Sequence, residues 1–230
     1  MPVHLGTRAT ADDLAGFDEV VVATGVAPRL PSIPGVDHPS VVDYQQVLRD
    51  RVPVGRTVAV VGAGGIGFDV AEFLLHEPHE SVEEWMRRWG VTDPALERGG
   101  LATKTKAPAK RQVHLLQRKT TELGKGLGKT SGWVHRQTLK DADVEMLKGV
   151  TYDRIDDDGL HVTIAGDVPE QRVLDVDTIV LCTGQDSVRD LVEPLEARNT
   201  TVHVIGGADV AAELDAKRAI KQATELAARI

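Results

Sequence analysis

The feature that most constrains this chain is the run Val58-Ala59-Val60-Val61-Gly62-Ala63-Gly64-Gly65-Ile66-Gly67-Phe68-Asp69. A glycine pattern G-x-G-x-x-G carries little information alone. Here it follows an apolar strand directly and opens a helix, which gives it a mechanism. Gly62 permits the tight turn, Gly64 lets the backbone approach a pyrophosphate, and Gly67 lets the helix pack against the strand. The unpaired N–H groups at the helix start then face an anion. The run predicts a dinucleotide-binding Rossmann-like unit, with a glycine-rich turn that binds nothing as the alternative.

The 2′-position of the nucleotide distinguishes NADH from NADPH. An NAD-type site expects an acid about 20 residues after the loop. Here the next apolar strand ends in Gln117-Arg118-Lys119. A guanidinium and an ammonium would pair with a 2′-phosphate, where an acid would repel it. NADPH is therefore expected; the alternative is a solvated strand end. Gly124 to Thr130 imitates a P-loop, but Leu123 stands where G-x-x-x-x-G-K-[ST] needs glycine. It reads as a flexible basic loop, near the cofactor or merely exposed, and not an ATP site.

Along the chain, apolar runs predict strands at 18–24, 57–61, 112–116, 178–182 and 202–205, and helices at 44–49 (capped by Asp43), 65–76, 82–89, 130–140 and 210–230. Short alternating segments at 151–155, 160–164 and 172–176, joined by Asp158-Gly159 and Ala165-Gly166, read as an antiparallel meander. The four prolines of 27–39 mark a loop. Val-Val-Val-Ala-Thr-Gly at 20–25 is echoed by Ile-Val-Leu-Cys-Thr-Gly at 179–184.

Composition narrows the functions. A net charge of −8 gives no basic footprint for nucleic acid. One cysteine, Cys182, excludes a CxxC redox pair and a four-cysteine cluster within the chain. It reads as an inert buried thiol. His76 and His79 lie three apart without partners and read as surface residues, so no metal ligand is assigned. No apolar run approaches 18 residues and no signal-peptide pattern opens the chain, so a cytoplasmic location off the membrane is expected.

Taken together, these residues resemble the C-terminal third of bacterial NADPH-dependent 2,4-dienoyl-CoA reductases, relatives of the old yellow enzyme and trimethylamine dehydrogenase group. The resemblance rests on Ala23-Thr24-Gly25, on 61–69, and on Leu116 to Lys119. It continues through Gly126 to Thr130, Gly132-Trp133, His135-Arg136 and Ile155 to Val162. It ends in Ile205 to Ala211 and Glu213 to Ala216. It implies an α/β fold: a Rossmann-like NADPH domain with a small antiparallel meander, at 51–184, inserted in part of an FAD-type domain at 1–50 and 185–230.

The resemblance also implies cofactor contacts from Gly62, Ala63, Gly64, Gly65, Ile66, Gly67, Asp69, Arg118, Lys119, Thr183 and Gly184. Thr24, Gly25, Gly207 and Asp209 would form part of an FAD site, with Asp209 near the ribityl chain. In such enzymes electrons pass from NADPH to FAD, through a [4Fe–4S] cluster to FMN on a barrel domain, and on to dienoyl-CoA. The chain contains neither the first flavin glycine loop nor the barrel, so no catalytic residue is assigned. It would be the electron-input module, inactive alone toward dienoyl-CoA; the alternative is a non-catalytic NADPH-binding or interaction remnant. A disulfide reductase is disfavoured by the missing CxxC.

Overall fold

The computed structural model describes residues 2–75, 80–106, 109–212 and 216–230. His76 and His79 lie outside the described residues. In chain order come β1 (Glu19–Val22), β2 (Val26–Pro28), β3 (Val41–Asp43), α1 (Tyr44–Leu48), β4 (Thr57–Val61), α2 (Gly65–Leu75) and α3 (Val82–Trp89). They are followed by β5 (Gln112–Gln117), α4 (Gly132–Asp141), β6 (Glu145–Lys148), β7 (Val150–Asp156), β8 (Gly159–Ile164) and β9 (Glu170–Leu174). The chain closes with β10 (Thr178–Leu181), β11 (Gln185–Ser187), α5 (Val192–Glu196), β12 (Thr201–Val204) and α6 (Ala216–Ala227). No helix among the described residues is long and apolar enough to cross a membrane.

Two compact units result: Leu30–Thr183, and Met1–Arg29 with Gly184–Ile230. The first is built on a parallel sheet of order β3-β10-β4-β5-β6. Strand β4 is central and reads as an unbroken apolar run because both of its faces are covered. Val58 and Val60 face α1, α2 and α4 in a cluster with Tyr44, Val47, Phe68, Leu74 and Leu139. Ala59 and Val61 face the other way, joining Ile155, Leu160, Val162 and Leu174 of the antiparallel meander β7-β8-β9. All four strand residues are fully buried, and each valine contributes on the order of 1.5–3 kcal/mol.

Caps fix the helix ends. Asp43 accepts from the N–H groups of Gln45 and Gln46 at 2.7 and 2.9 Å, while Gln46 accepts from the Asp43 N–H, the expected cap of α1. Arg111 donates to the carbonyl of Leu74 (3.1 Å) in the last turn of α2 and to that of Gly55 (2.9 Å) before β4, tying the two together.

In the second unit β1 pairs parallel with β12, from Glu19 opposite Thr201 to Val22 opposite Val204, and β2 pairs antiparallel with β11. Its core is small: Val20, Val22, Leu195 and Ala208, with a few half-buried neighbours.

Several expectations are corrected. The nucleotide unit begins at Leu30 rather than 51, because β3 pairs with β10 in its sheet. Gly184 falls on the other side of the boundary. Strand β6 was not expected; it forms the far edge of the sheet, and an edge does not require a continuous apolar run. The last helix, expected over 210–230, is described from Ala216 to Ala227; Gly206–Ala208 form a 3-10 turn, and 213–215 lie outside the described residues.

Candidate functional site

Parallel pairing of β4 with β5 and β10 places their C-terminal ends side by side, with Val61 opposite both Leu116 and Leu181. The loops leaving these ends border an open cleft of about 510 Å³. This is the edge at which open α/β sheets bind ligands.

The glycine loop forms the floor. Gly62 has φ +112°, and a Cβ there would lie 2.2 Å from the Cys182 carbonyl oxygen. At Gly67 a Cβ would lie 1.8 Å from the Gly62 carbonyl oxygen, so glycine alone lets α2 sit this close to its own loop. Gly64 and Gly65 are the opposite case: a Cβ on either would meet nothing within 4 Å. Two glycines are thus required by packing and two leave space. The first regular helical bond runs from the Phe68 N–H to the Gly64 carbonyl at 3.1 Å. The N–H groups before it have no intrahelical partner, and the first turn carries no acid.

Gln117 ends β5, and its side-chain amide donates to the carbonyls of Lys119 (2.9 Å) and Thr121 (2.8 Å). That clamp curls 118–121 over the cleft and leaves Arg118 and Lys119 exposed. Neither forms an ion pair among the described residues. Lys125 adds a third cation to the lining. The one acid of the lining, Glu122, is paired with Lys148, which lowers its carboxyl below the ordinary value. A chain of net charge −8 therefore presents a cationic cleft.

Tyr152 of β7 and Cys182 complete the lining with Thr183. Burial pushes the Tyr152 phenol up, while the nearby Arg118 charge pulls it down. Cys182 retains some surface, yet desolvation of its sulfur, and secondarily the Asp43 charge, push the thiol up to about 12. A thiol so protonated is no nucleophile at neutral pH.

Of the expected site residues, Gly62, Ala63, Gly64, Arg118, Lys119 and Thr183 meet at the cleft. Gly65 is exposed at the helix start, Ile66 is half-buried against the core, and Gly67 is buried. Asp69 is exposed on α2 and does not line the cleft. Gln117, Tyr152 and Lys125 were not among the expected site residues. The basic loop at 124–130 was the only sequence signal for Lys125, and nothing local marks Tyr152, which arrives from the meander.

The remaining expected residues, Thr24, Gly25, Gly184, Gly207 and Asp209, belong to the other unit. Thr24 Oγ1 donates to the Val188 carbonyl at 2.5 Å. A Cβ on Gly207 would lie 3.3 Å from the Gly25 backbone, so these two turns approach closely at the ends of β1 and β12. The Asp209 carboxylate accepts from Gln222 at 2.8 Å, and Arg189 lies 3.8 Å away. No G-x-G-x-x-G run lies in the sequence of this unit; β12 leads instead into Gly206-Gly207 and a 3-10 turn.

Known proteins resemble this chain along most of its length. Residues 4–215 match the family described as pyridine nucleotide-disulphide oxidoreductase. A metal reductase of Desulforamulus reducens is 27% identical over 215 residues, covering 90% of this chain and 31% of that protein. A cinnamate reductase of Clostridium sporogenes is 34% identical over 80 residues, 34% of this chain and 12% of that one. The chain thus spans a third or less of these curated relatives. Among solved structures, a 2-naphthoyl-CoA reductase complexed with 2-naphthoyl-CoA superposes with TM-score 0.74 at 22% identity, covering 98% of this chain and 29% of that one. Histamine dehydrogenase from Rhizobium sp. 4-9 gives 0.66 at 18%, covering 97% and 32%. At these identities the two structures establish the shared fold.

Proposed function

The chain belongs to the pyridine nucleotide-disulphide oxidoreductase family, and on that premise we propose that it is the NADPH-binding, electron-input module of a flavin-dependent oxidoreductase of the 2,4-dienoyl-CoA reductase kind. The observation that carries this reading is the convergence on one cleft of the helix start at Gly64–Gly65, where an added Cβ meets nothing within 4 Å, with the exposed Arg118 and Lys119.

The residues present fit NADPH. The N–H groups at the start of α2 would hold the pyrophosphate. Arg118 and Lys119, presented by the Gln117 clamp, would pair with the 2′-phosphate. Bound there, the dihydronicotinamide supplies a hydride to the flavin. Cys182 is the one thiol of these 230 residues, and burial favours its protonated form, so no dithiol pair lies within them.

The fit to FAD is partial. Gly25 and Gly207 offer a close backbone approach at the ends of two parallel strands, but no described glycine loop would hold a pyrophosphate, and Asp209 is already engaged. That partial site favours a second reading, a nucleotide-binding module without turnover of its own. An FMN- and cluster-bearing barrel would be the partner in the first reading.

The test is calorimetric titration of wild type and Arg118→Ala with NADPH and NADH. A charge-assisted hydrogen bond is worth about 1.5–3 kcal/mol, less when exposed, so NADPH should weaken roughly tenfold. NADH, lacking the phosphate, should change little. Equal losses would mean that Arg118 supports the fold rather than reading the phosphate.

A further inference from the structure

Gln117 closes β5, whose burial runs from an exposed Gln112 through four buried residues to this half-buried end. Strand ends of this kind meet the adenosine ribose of a dinucleotide. NAD-type sites carry an acid there, and its carboxylate accepts from a ribose hydroxyl. In this chain a neutral amide stands instead, beside the cations Arg118 and Lys119 on the wall of the same cleft.

The hydrogen bonds fix which way the amide points. Both of its hydrogens are used, one toward the Lys119 carbonyl at 2.9 Å and one toward the Thr121 carbonyl at 2.8 Å. Exchanging N and O would set one carbonyl oxygen against two others at those distances, with no donor between them. The turn that receives these bonds is itself held: the Gly149 N–H donates to the Lys119 carbonyl at 3.0 Å, and Glu122 is paired with Lys148 of β6. Gln117 Oε1 therefore points away from the turn. Among the described residues it accepts no bond, and it is not a buried atom lacking a partner, so it opens to solvent at the cleft. Two fixed donors leave one fixed acceptor.

Resting on the reading of the cleft as an NADPH site, we infer that Gln117 Oε1 accepts a hydrogen bond from the 3′-hydroxyl of the adenosine ribose. NADPH leaves that hydroxyl free, because its 2′-oxygen carries the phosphate. The acceptor has to be neutral. A carboxylate would take the hydroxyl as well, but it would repel the neighbouring phosphate and would lose both donors that shape 118–121. Gln117 is thus a binding and specificity-determining residue. It does for a phosphorylated ribose what an acid does for an unphosphorylated one.

The test is calorimetric titration of the full chain with 2′,5′-ADP, its 3′-deoxy analogue, NADPH and NADH. Removing the 3′-hydroxyl should weaken the probe's binding to wild type roughly 2- to 10-fold, the effect of one neutral hydrogen bond. Gln117→Met has no such acceptor and should bind both probes with equal affinity. A turn merely loosened by the substitution would weaken both probes alike and leave their ratio unchanged. Gln117→Glu keeps an acceptor and loses the donors, so its ratio of NADPH to NADH affinity should fall about tenfold or more. Wild type that binds both probes equally overturns the proposal without recourse to any variant. So does Gln117→Met that still tells the probes apart, which would place the acceptor elsewhere, or Gln117→Glu with an unchanged cofactor ratio. Failure of the cofactor reading is distinct: wild type would then bind NADPH and NADH alike, or neither, and this proposal would fall with it.

Discussion

At the scale of single residues, the glycine loop separates two roles that a sequence pattern merges. Gly67→Ala places a methyl 1.8 Å from the Gly62 carbonyl oxygen, which no rotamer change can relieve. It should cost about 3 kcal/mol of stability, read as a lower urea midpoint. Gly64→Ala meets nothing within 4 Å and should leave that midpoint within about 0.5 kcal/mol of wild type. The added methyl would stand in the cleft, so NADPH affinity should still fall about tenfold or more by titration. If Gly64→Ala binds normally, the pyrophosphate does not approach that loop. The spacing of Gly62, Gly64 and Gly67 made this part of the site legible from the chain alone. Gln117 was not: a strand-end glutamine looks solvated until the carbonyls of Lys119 and Thr121 are seen at its amide. Tyr152 is harder still, lying 90 residues from Gly62 and reaching the cleft only through the packing of the meander on the sheet.

At the scale of elements, the strands buried on both faces were readable because burial on both faces imposes an unbroken apolar run, as in β4 and β10. Strand β6 has only Met146 and Leu147 between Glu145 and Lys148, and its membership in the sheet is set by partners it cannot advertise. Glu145 shows what such an edge strand can do instead. It accepts two bonds from Arg172 of β9, at 2.6 and 2.9 Å, and one contact from the buried His114 of β5 at 2.6 Å. The network ties the meander to the parallel sheet. Arg172 foremost, and His114 after it, hold the Glu145 carboxyl below its ordinary value of 4.5. A depressed carboxyl stabilises the fold above its unfolded value, and that contribution disappears as pH falls through the lower folded value. Arg172→Leu should therefore cost on the order of 1 kcal/mol near neutrality, the partial exposure of both groups having been allowed for. In strong acid, wild type and variant should converge. Denaturant melts at both conditions check this, and a gap that does not close in acid would assign the loss to packing.

At the scale of the whole molecule, the two units make unequal demands on a cofactor. The unit of Leu30–Thr183 has a complete loop and a cationic cleft, while the other holds close turns at Gly25 and Gly207 without a pyrophosphate cradle. We therefore expect purified chain to retain NADPH on a titration scale but to lose flavin on dialysis. Stoichiometric FAD surviving dialysis would contradict this. Nor should the chain alone consume dienoyl-CoA with NADPH, since one cysteine cannot ligate a cluster. The boundary between the units was misread at residue 51 because β3 is only three residues long and follows a proline-rich stretch that reads as loop. The corrected boundary has its own meaning. The Arg29 N–H donates to the Gly184 carbonyl at 3.0 Å, so the chain departs for the nucleotide unit and returns from it at one spot. A segment whose two ends already touch can be lifted out or replaced without pulling its host apart. Residues 30–183 should then fold when expressed alone. This hydrogen bond thus marks a splice point at which one such cassette could be exchanged for another.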